Sequence, residues 1–257
     1  MEKFIYKKSA GITALSASMT DFKYKKHSHQ EYAIGVTLRG IQQYNLEGSR
    51  QLSHQNGVML FNPEQAHDGM AHDERGLDYV MLYIDPELLL EVSERKEIVR
   101  FSTPIVYNNS LASKVVSLAS AVFEENEALC SELLLPLTDS LTRSTPSGYD
   151  RREDLLMVKA KTMLQDNLTS VLKLEDLCHE LHLSKFQLIR LFKAHTGISP
   201  YQYFLNSKIE RAKHLIEQHG DVYAAVAECG FVDLTHLNKH FKSVYGTTAF
   251  EYSLLVH

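Results

Sequence analysis

The chain has 257 residues and a formal net charge of −5, with 44% hydrophobic and 23% charged residues. This length and hydrophobic content suit one or two globular domains, each with its own buried core. No stretch approaches the ~20 apolar residues of a membrane-spanning helix, and the opening residues, which include Glu2, Lys3, Lys7 and Lys8, do not resemble a signal peptide. We therefore expect a cytoplasmic protein without a membrane segment. The cysteines Cys130, Cys178 and Cys229 fit no metal or disulfide spacing and are expected to be reduced.

Short strands are predicted throughout residues 1–105. The clearest are residues 32–38, 42–46, 57–61 and 79–84, each rich in β-branched or aromatic side chains and bounded by Gly, Asn, Pro or Asp. A run of strands followed by a run of helices indicates an α+β protein that begins with a small β-barrel.

Two helices are predicted between residues 111 and 141. Their apolar positions recur at helical spacing, and these positions are Leu111, Val115, Leu118 and Val122 in one segment and Leu129, Leu133, Leu134, Leu137 and Leu141 in the other. This is more apolar surface than a lone helical hairpin hides. The pair either packs only on the strand domain or also forms a dimer interface, which would make residues 110–142 dimerisation helices.

A linker is predicted at residues 143–153, where Pro, Gly and Ser cluster beside a run of charges. It separates a first domain, residues 1–142, from a second domain, residues 154–257.

The second domain contains one sequence motif twice. Residues 174–203 read LEDLCHELHLSKFQLIRLFKAHTGISPYQY, and residues 222–252 read VYAAVAECGFVDLTHLNKHFKSVYGTTAFEY. The copies align at an offset of 48 before the turn and 49 after it, so one residue has been added in the second turn. Each copy predicts a short helix, a turn and a longer helix.

In the first copy, a helix at residues 174–181 is expected to bury Leu174, Leu177 and Leu181. Ser184 is the expected N-cap of a helix at residues 185–195, and Leu188, Leu191 and Phe192 form its core-facing stripe. The outward residues of this helix are Lys185, Phe186, Gln187, Ile189, Arg190 and Lys193.

In the second copy, Gly230 is expected in the turn and Asp233 at the N-cap. The outward residues are Leu234, Thr235, His236, Asn238, Lys239 and Lys242. A helix of this size fits the DNA major groove, where Arg or Lys pairs with guanine, Asn or Gln with adenine, and apolar groups with the thymine methyl. A helical bundle with ordinary solvated faces is the alternative, and the matched repeat favours DNA binding over it.

Residues 155–257 resemble the DNA-binding domain of the AraC/XylS family of transcription regulators. The resemblance rests first on the sequence motif at residues 184–193 and on Gly197-Ile198-Ser199-Pro200 continuing to Tyr203. It also rests on a set of positions further along the chain, which are Lys208, Ile209, Ala212 and Leu215, then Gly230-Phe231, Leu237 to Lys242, Gly246 and Thr248. It implies two helix-turn-helix units joined by one long helix at about residues 200–219, with both recognition helices in successive major grooves. The chain departs from the family in having Lys239 for Arg, Ala249 for Pro and Leu237 for an aromatic residue.

Charge supports this interpretation only locally. Residues 151–257 carry a net charge of +1 and residues 1–150 a net charge of −6. DNA binding must then depend on the placement of a few cations, which are Lys185, Arg190, Lys193, Lys208, Arg211, Lys239 and Lys242. A protein with few phosphate contacts should show a shallow salt dependence.

The N-terminal half resembles the cupin-type sensor half of the same family. HSHQEY at residues 27–32 and GVMLFNPEQAH at residues 57–67 look like the two cupin motifs. His27, His29, Glu31 and His67 therefore raise a metal hypothesis, because His-x-His on one strand directs both imidazoles to one face. The usual cupin glutamate is missing, since Ala33 and Ile34 occupy its place.

Without a metal, the barrel is expected to bind a small organic effector. Arg39 would pair with a carboxylate or phosphate of that effector. The full expected lining is His27, His29, Tyr32, Arg39, Tyr44, Phe61 and His67. The polar loop at residues 67–76 is a candidate lid.

We expect a DNA-binding transcriptional regulator that is not an enzyme, needs no cofactor, and is controlled by a small organic effector through a population shift. The expected partners are promoter DNA, a second copy of the chain and, for an activator, RNA polymerase. The alternatives are a metal-binding cupin that acts as a metal-responsive regulator or as an enzyme, and an architectural DNA binder.

Overall fold

The computed structural model describes residues 2–93, 99–143, 155–169 and 173–257. It contains two compact units, whose main bodies are Met1–Lys23 with His29–Tyr149, and Asp150–Leu255. The predicted linker at residues 143–153 lies almost wholly outside the described residues, so the expected domain boundaries stay a prediction.

The described residues up to 106 contain ten strands. They are β1 Lys3–Ser9, β2 Ile12–Met19, β3 Lys23–His27, β4 Tyr32–Arg39, β5 Gln42–Leu46, β6 Ser49–Ser53, β7 Val58–Phe61, β8 His67–Ala71, β9 Leu77–Ile84 and β10 Ile105–Val106. One sheet has the order β1-β2-β9-β4-β7-β10 and the other the order β3-β8-β5-β6. The four strands singled out in the sequence are confirmed as β4, β5, β7 and β9.

The two sheets face each other as a small barrel, as expected. Thr37 of β4 and Ser53 of β6 join their hydroxyls at 2.8 Å, and the rings of Tyr44 on β5 and Phe61 on β7 lie 5.0 Å apart. Because successive residues of a strand point to opposite faces, the other face of the larger sheet carries Tyr32, Ile34 and other core residues.

Helices cover this outer face. They are α1 Pro86–Ser93, α2 Asn109–Phe123 and α3 Glu127–Arg143. Val115, Leu118 and Val122 of α2 are fully buried against the sheet, and Leu137 of α3 is fully buried in the same core, where α3 packs on α2. The two predicted helices are thus confirmed, as is their packing on the strand domain, which removes much apolar surface from water.

The segment expected to form a lid has a different structure. Residues 67–71 are strand β8, which pairs with β5 through Gln42–Ala71 and Leu46–His67. Ladder pairing holds this backbone in the sheet, so the expectation of a loop across residues 67–76 was wrong for its first half.

The second unit is helical. Its helices are α4 Leu155–Asp166, α5 Leu174–Leu181, α6 Lys185–Thr196, α7 Pro200–His219, α8 Val222–Glu228, α9 Leu234–Tyr245 and α10 Ala249–Val256. Both helix-turn-helix units and the long connecting helix are confirmed. Leu174 and Leu191 are only half-buried, whereas Leu188 and Phe192 are fully buried. The core-facing stripe is therefore narrower than predicted.

Candidate nucleic-acid interface and sensor site

Helix α6 is fixed at its start by a capping box. The Ser184 hydroxyl accepts a hydrogen bond from the Gln187 amide, and the Gln187 side chain accepts one from the Ser184 amide at 2.8 Å. Leu188 and Phe192 anchor the helix in the core, where Phe192 packs edge-on against Tyr203 of α7 at 5.6 Å. Capping and packing together hold the opposite face of α6 toward solvent.

That opposite face presents one stripe of exposed side chains. Phe186, Arg190 and Lys193 follow each other at intervals of four and three residues and therefore share a face. Phe186 is 73% exposed, which is unusual for so large an apolar side chain. Ile189 is half-buried beside this stripe, and Lys185 forms an ion pair with Glu175 at 3.1 Å.

Helix α9 repeats the arrangement. Asp233 caps it by accepting a hydrogen bond from the His236 amide at 2.7 Å, and Leu237 and Phe241 are fully buried. Its exposed residues Thr235, Lys239 and Lys242 have the same spacing as those of α6. At the sequence offset of 49, they are the direct counterparts of Phe186, Arg190 and Lys193.

Three of the outward residues predicted on α9 have structural contacts. The Asn238 carboxamide oxygen accepts a hydrogen bond from the Ala249 amide at 2.9 Å, at the start of α10. The His236 ring lies 5.5 Å from Phe231 and 4.9 Å from His240, and Leu234 is half-buried. Asn238 therefore holds α10 in place, which the sequence did not indicate, because its partner is eleven residues away.

Lys208 also differs from the prediction. Its side chain is buried, the ammonium lies 4.8 Å from the centre of the Phe204 ring, and it donates to the Gly230 carbonyl at 3.3 Å. Burial lowers the pKa of this lysine. Lys208 thus supports the turn of the second helix-turn-helix unit and is not a phosphate ligand in this structure.

Helix α7 joins the two units. It is capped by Ser199 and Gln202, and Tyr252 of α10 donates a hydrogen bond to Glu217 at 2.6 Å. Tyr245 of α9 donates to Glu210. Twenty helical residues span about 30 Å, close to the ~34 Å repeat of successive major grooves.

The barrel interior holds part of the predicted effector site. The His67 ring stacks on Phe61 at 4.2 Å and lies 5.4 Å from His29, which in turn contacts Tyr83 at 5.1 Å. Tyr44 packs on the far side of Phe61. Burial, with His29 nearby, lowers the pKa of His67 to about 3, so this imidazole is neutral at physiological pH.

Two predicted lining residues lie elsewhere. Tyr32 points to the helix-covered face of the sheet, where its hydroxyl donates to the Val99 carbonyl and burial raises its pKa to about 12. The Arg39 side chain is 54% exposed and paired with Asp78 through Nε at 2.6 Å. The seven predicted residues therefore do not form one continuous lining.

The histidines named in the metal hypothesis come together. His27, His29 and His67 are buried, and their ligand nitrogens lie within 4.8 Å of one another. The Nδ1 atoms of His27 and His67 hydrogen-bond to the Lys25 and Gln65 carbonyls. Glu31 is not part of this trio. Metal binding at this position stays the alternative to an organic effector.

Sequence reasoning missed a cavity of about 160 Å³ on the outer face of the larger sheet, lined in part by residues 101–103. Only the register of the sheet and the docking of α2 and α3 create it. Among the described residues, no helix is long and apolar enough to cross a membrane.

Comparison with known proteins identifies both units. Residues 9–138 match the family model described as an AraC-like ligand binding domain, and residues 177–253 match a helix-turn-helix domain. The HTH-type transcriptional regulator YbfI of Bacillus subtilis is 28% identical over 84% of this chain and 82% of its own length. LumQ of Photobacterium leiognathi, a probable transcriptional regulator by name, is 23% identical over 91% of this chain and 94% of its own length.

The fold is shared with ToxT from Vibrio cholerae. Its structure with bound unsaturated fatty acid aligns with a TM-score of 0.63 and 13% identity over 95% of each chain. The ligand-binding family model matches the strand domain, and the helix-turn-helix model matches the region of the two helix-turn-helix units. This protein belongs to the AraC family and is a DNA-binding transcriptional regulator with an N-terminal ligand-binding domain.

Proposed function

We propose that the protein reads two successive major grooves of promoter DNA through the two exposed stripes, Phe186, Arg190 and Lys193 on α6 and Thr235, Lys239 and Lys242 on α9. The observation that carries this proposal is the correspondence of the two stripes, residue for residue, on helices joined through α7. Arg190 can form a bidentate pair with guanine, Phe186 can contact a thymine methyl, and the lysines can neutralise phosphates.

The proposed switch is a small organic effector bound by the N-terminal domain. ToxT, which shares the fold, has been crystallised with an unsaturated fatty acid, and this supports an organic ligand for such a domain. Effector binding must favour one arrangement of the protein over another to change its affinity for DNA. A coupling of about 1–3 kcal/mol is sufficient for a useful switch.

Further partners and location belong to the same proposal. Leu135 on α3 is 56% exposed, and a homodimer that pairs this helix with its copy would cover it. An activator would also contact RNA polymerase. We place the protein in the cytoplasm, with the promoter DNA, and assign it no enzymatic activity.

Selection of operator sequences from a random DNA pool, followed by fluorescence anisotropy with the selected duplex, tests the proposal. We expect Arg190→Ala to weaken binding by about 1–3 kcal/mol and to relax preference at one base position. Lys159→Ala is the matched control, because Lys159 lies on α4, away from both stripes, and donates to the Glu180 carbonyl. Equal affinity for unrelated duplexes would instead indicate an architectural DNA binder.

A further inference from the structure

The cavity on the outer face of the larger sheet is built from four separate elements. Its apolar floor consists of Leu60 of β7, Val106 of β10, Leu111 of α2 and Leu141 of α3, with Phe101 beside them. Leu60 and Phe61 are neighbours on one strand and point to opposite faces. The cavity is therefore distinct from the barrel interior, where Phe61 stacks on His67.

The wall formed by residues 101–104 is held by hydrogen bonds to the strands. The Asn62 side chain accepts from the Phe101 amide at 2.7 Å and donates to the Phe101 carbonyl at 3.0 Å. The Pro104 carbonyl accepts from the Leu60 amide at 3.0 Å and from the Tyr44 hydroxyl at 3.2 Å. A wall fixed in this way does not have to be ordered when a ligand binds.

The mouth of the cavity is polar and uncharged. Ser102, Thr103, Asn108 and Ser110 are exposed there, while Leu60, Leu111 and Leu141 are buried beneath them. None of the described residues that line the cavity carries a charge. Lys114 lies at the edge, where its ammonium donates to the Ser140 hydroxyl at 2.6 Å, and it is not one of the lining residues. A buried anion would find no cation among the described lining residues, and burying an unpaired charge is costly.

Size and polarity together define a ligand class. The volume of about 160 Å³ is similar to that of an engineered apolar cavity of about 150 Å³ that accepts benzene. An apolar ring would contact the leucine and valine floor, and a hydroxyl or carbonyl group would reach the serine and threonine hydroxyls at the mouth.

We propose that this cavity is the effector site, and that it takes a compact uncharged molecule consisting of one ring or short branched chain with one or two hydroxyl or carbonyl groups. The inference rests on the proposed function of the N-terminal domain as the sensor. It replaces the barrel interior, where Tyr44, Phe61 and His67 pack on one another, as the place of binding.

The position of the cavity explains how occupancy would be transmitted. The ligand would contact the first turn of α2 at Ser110 and Leu111 and the last turn of α3 at Ser140 and Leu141. Bridging these two ends stabilises one packing of the helix pair on the sheet. Helix α3 ends at Arg143, so its last turn is the part of the sensor domain closest in sequence to the DNA-binding domain.

Methyl NMR of the full-length protein tests the site directly. Benzyl alcohol and cyclohexanol serve as uncharged probes, and benzoate serves as the charged counterpart of the first. We expect both alcohols at millimolar concentration to shift the methyl signals of Leu60, Val106, Leu111 and Leu141, with benzoate binding at least about tenfold more weakly. Shifts confined to Met59 and Met81, which lie between the sheets, would overturn the proposal, as would no response to either alcohol or equal binding of benzoate.

Variants of the cavity provide a second test. Val106→Phe fills the floor and should abolish the probe-induced shifts, whereas Leu38→Phe adds the same ring at an exposed position on β4 and should leave them unchanged. If Val106→Phe fails to fold, Thr103→Val with Ser110→Ala removes two mouth hydroxyls and should weaken alcohol binding about tenfold. Unchanged binding in the double variant would contradict the proposed recognition.

The two proposals fail in distinguishable ways. Probe binding is read from methyl signals without DNA, and operator binding is read from anisotropy without probe. Probe binding to a protein that shows no sequence preference on DNA would refute the proposed function and leave the cavity as a ligand site. Specific DNA binding without a methyl response would refute the cavity inference alone.

Discussion

At the residue scale, Arg190 and Lys239 occupy equivalent positions on the two candidate recognition helices but have different chemistry. The arginine guanidinium is planar and can form two parallel hydrogen bonds to a guanine edge, whereas the lysine ammonium is a compact point charge. Both side chains are exposed in the structure. The first helix should therefore contribute more sequence discrimination at this position than the second.

Exchange of these two side chains tests that difference. Arg190→Lys should lower the preference for guanine at one operator position by about 1–3 kcal/mol, and Lys239→Arg should raise the preference at the matching position of the second half. Anisotropy titrations with single-base operator variants measure both effects. Identical base preferences in the parent and both variants would show that these residues contact only the DNA backbone.

Glu251 provides a pH-dependent contribution to stability. Its carboxylate accepts hydrogen bonds from the Thr248 amide and hydroxyl, both at 2.9 Å, and these bonds, that of the amide first, hold the pKa of Glu251 below its ordinary value of 4.5. A carboxyl group whose pKa is lowered by folding stabilises the protein at pH values above its ordinary pKa. This stabilisation is lost as the pH falls from the ordinary pKa to the pKa of the folded state.

Glu251→Gln keeps a side chain that can close the capping box, so at pH 7 it should remove only the contribution of the charge, roughly 0.3–1 kcal/mol. The difference from the parent should shrink as the pH falls below 4.5. Urea denaturation at pH 7 and at acidic pH measures it, with Glu228→Gln, an exposed carboxylate at the end of α8, as the control. A difference that is the same at both pH values would rule out the carboxylate as its source.

At the element scale, the turn between α8 and α9 depends on Gly230. This residue has a φ of +61°, and a Cβ placed on it would overlap the carbonyl oxygen of Thr169. Gly220, which ends α7, has a similar φ of +68°, but a Cβ there would meet only the His257 ring at 3.5 Å. Substitution of Gly220 therefore tests backbone strain alone, whereas substitution of Gly230 tests backbone strain together with a steric clash.

Gly220→Ala should cost about 1 kcal/mol from strain in the left-handed region. Gly230→Ala should cost more than about 3 kcal/mol, because the clash is with backbone and adds to the strain. Chemical denaturation of the two variants compares them, and Gly230→Ala should also weaken operator binding by displacing α9. Equal destabilisation would mean that residues near Thr169 move without cost.

At the scale of the whole molecule, the DNA-binding half is nearly neutral, so its electrostatic attraction to DNA rests on few side chains. Lys208 is buried under Phe204 and Phe231, which leaves six of the seven cations named from the sequence. The logarithm of the binding constant should then fall with the logarithm of salt concentration with a slope no steeper than about −5.

Single substitutions should show which of these cations contact DNA phosphates. Lys193→Ala should make the slope shallower by about 0.9, whereas Lys208→Met should leave the slope unchanged because its ammonium does not face DNA. Anisotropy titrations at several salt concentrations measure the slopes. A shallower slope for Lys208→Met would show that the lysine reaches a phosphate in the complex.

The sequence by itself determined the bounds of α5, α6 and α7 to within one residue. The caps at Ser184 and Asp233, the spacing of Leu188 and Phe192, and the glycine of the turn are all local signals, because each depends on neighbours within one or two helical turns. The caps and the spacing of the buried residues recur in both copies of the repeat, whereas the turn glycine occurs only in the second. The sequence placed every residue of the exposed stripes among the outward positions, but it also placed there Leu234, His236 and Asn238, which have structural contacts.

Tertiary structure alone decided which side chains share a surface. Arg39 meets Asp78, Asn238 meets the Ala249 amide, and Lys208 meets Gly230. The cavity similarly collects side chains from β7, β10, α2 and α3, which are as far apart in sequence as Leu60 and Leu141. Strand register and helix docking create these contacts, and the packing of the whole core sets both. No local pattern in the chain could therefore have predicted them.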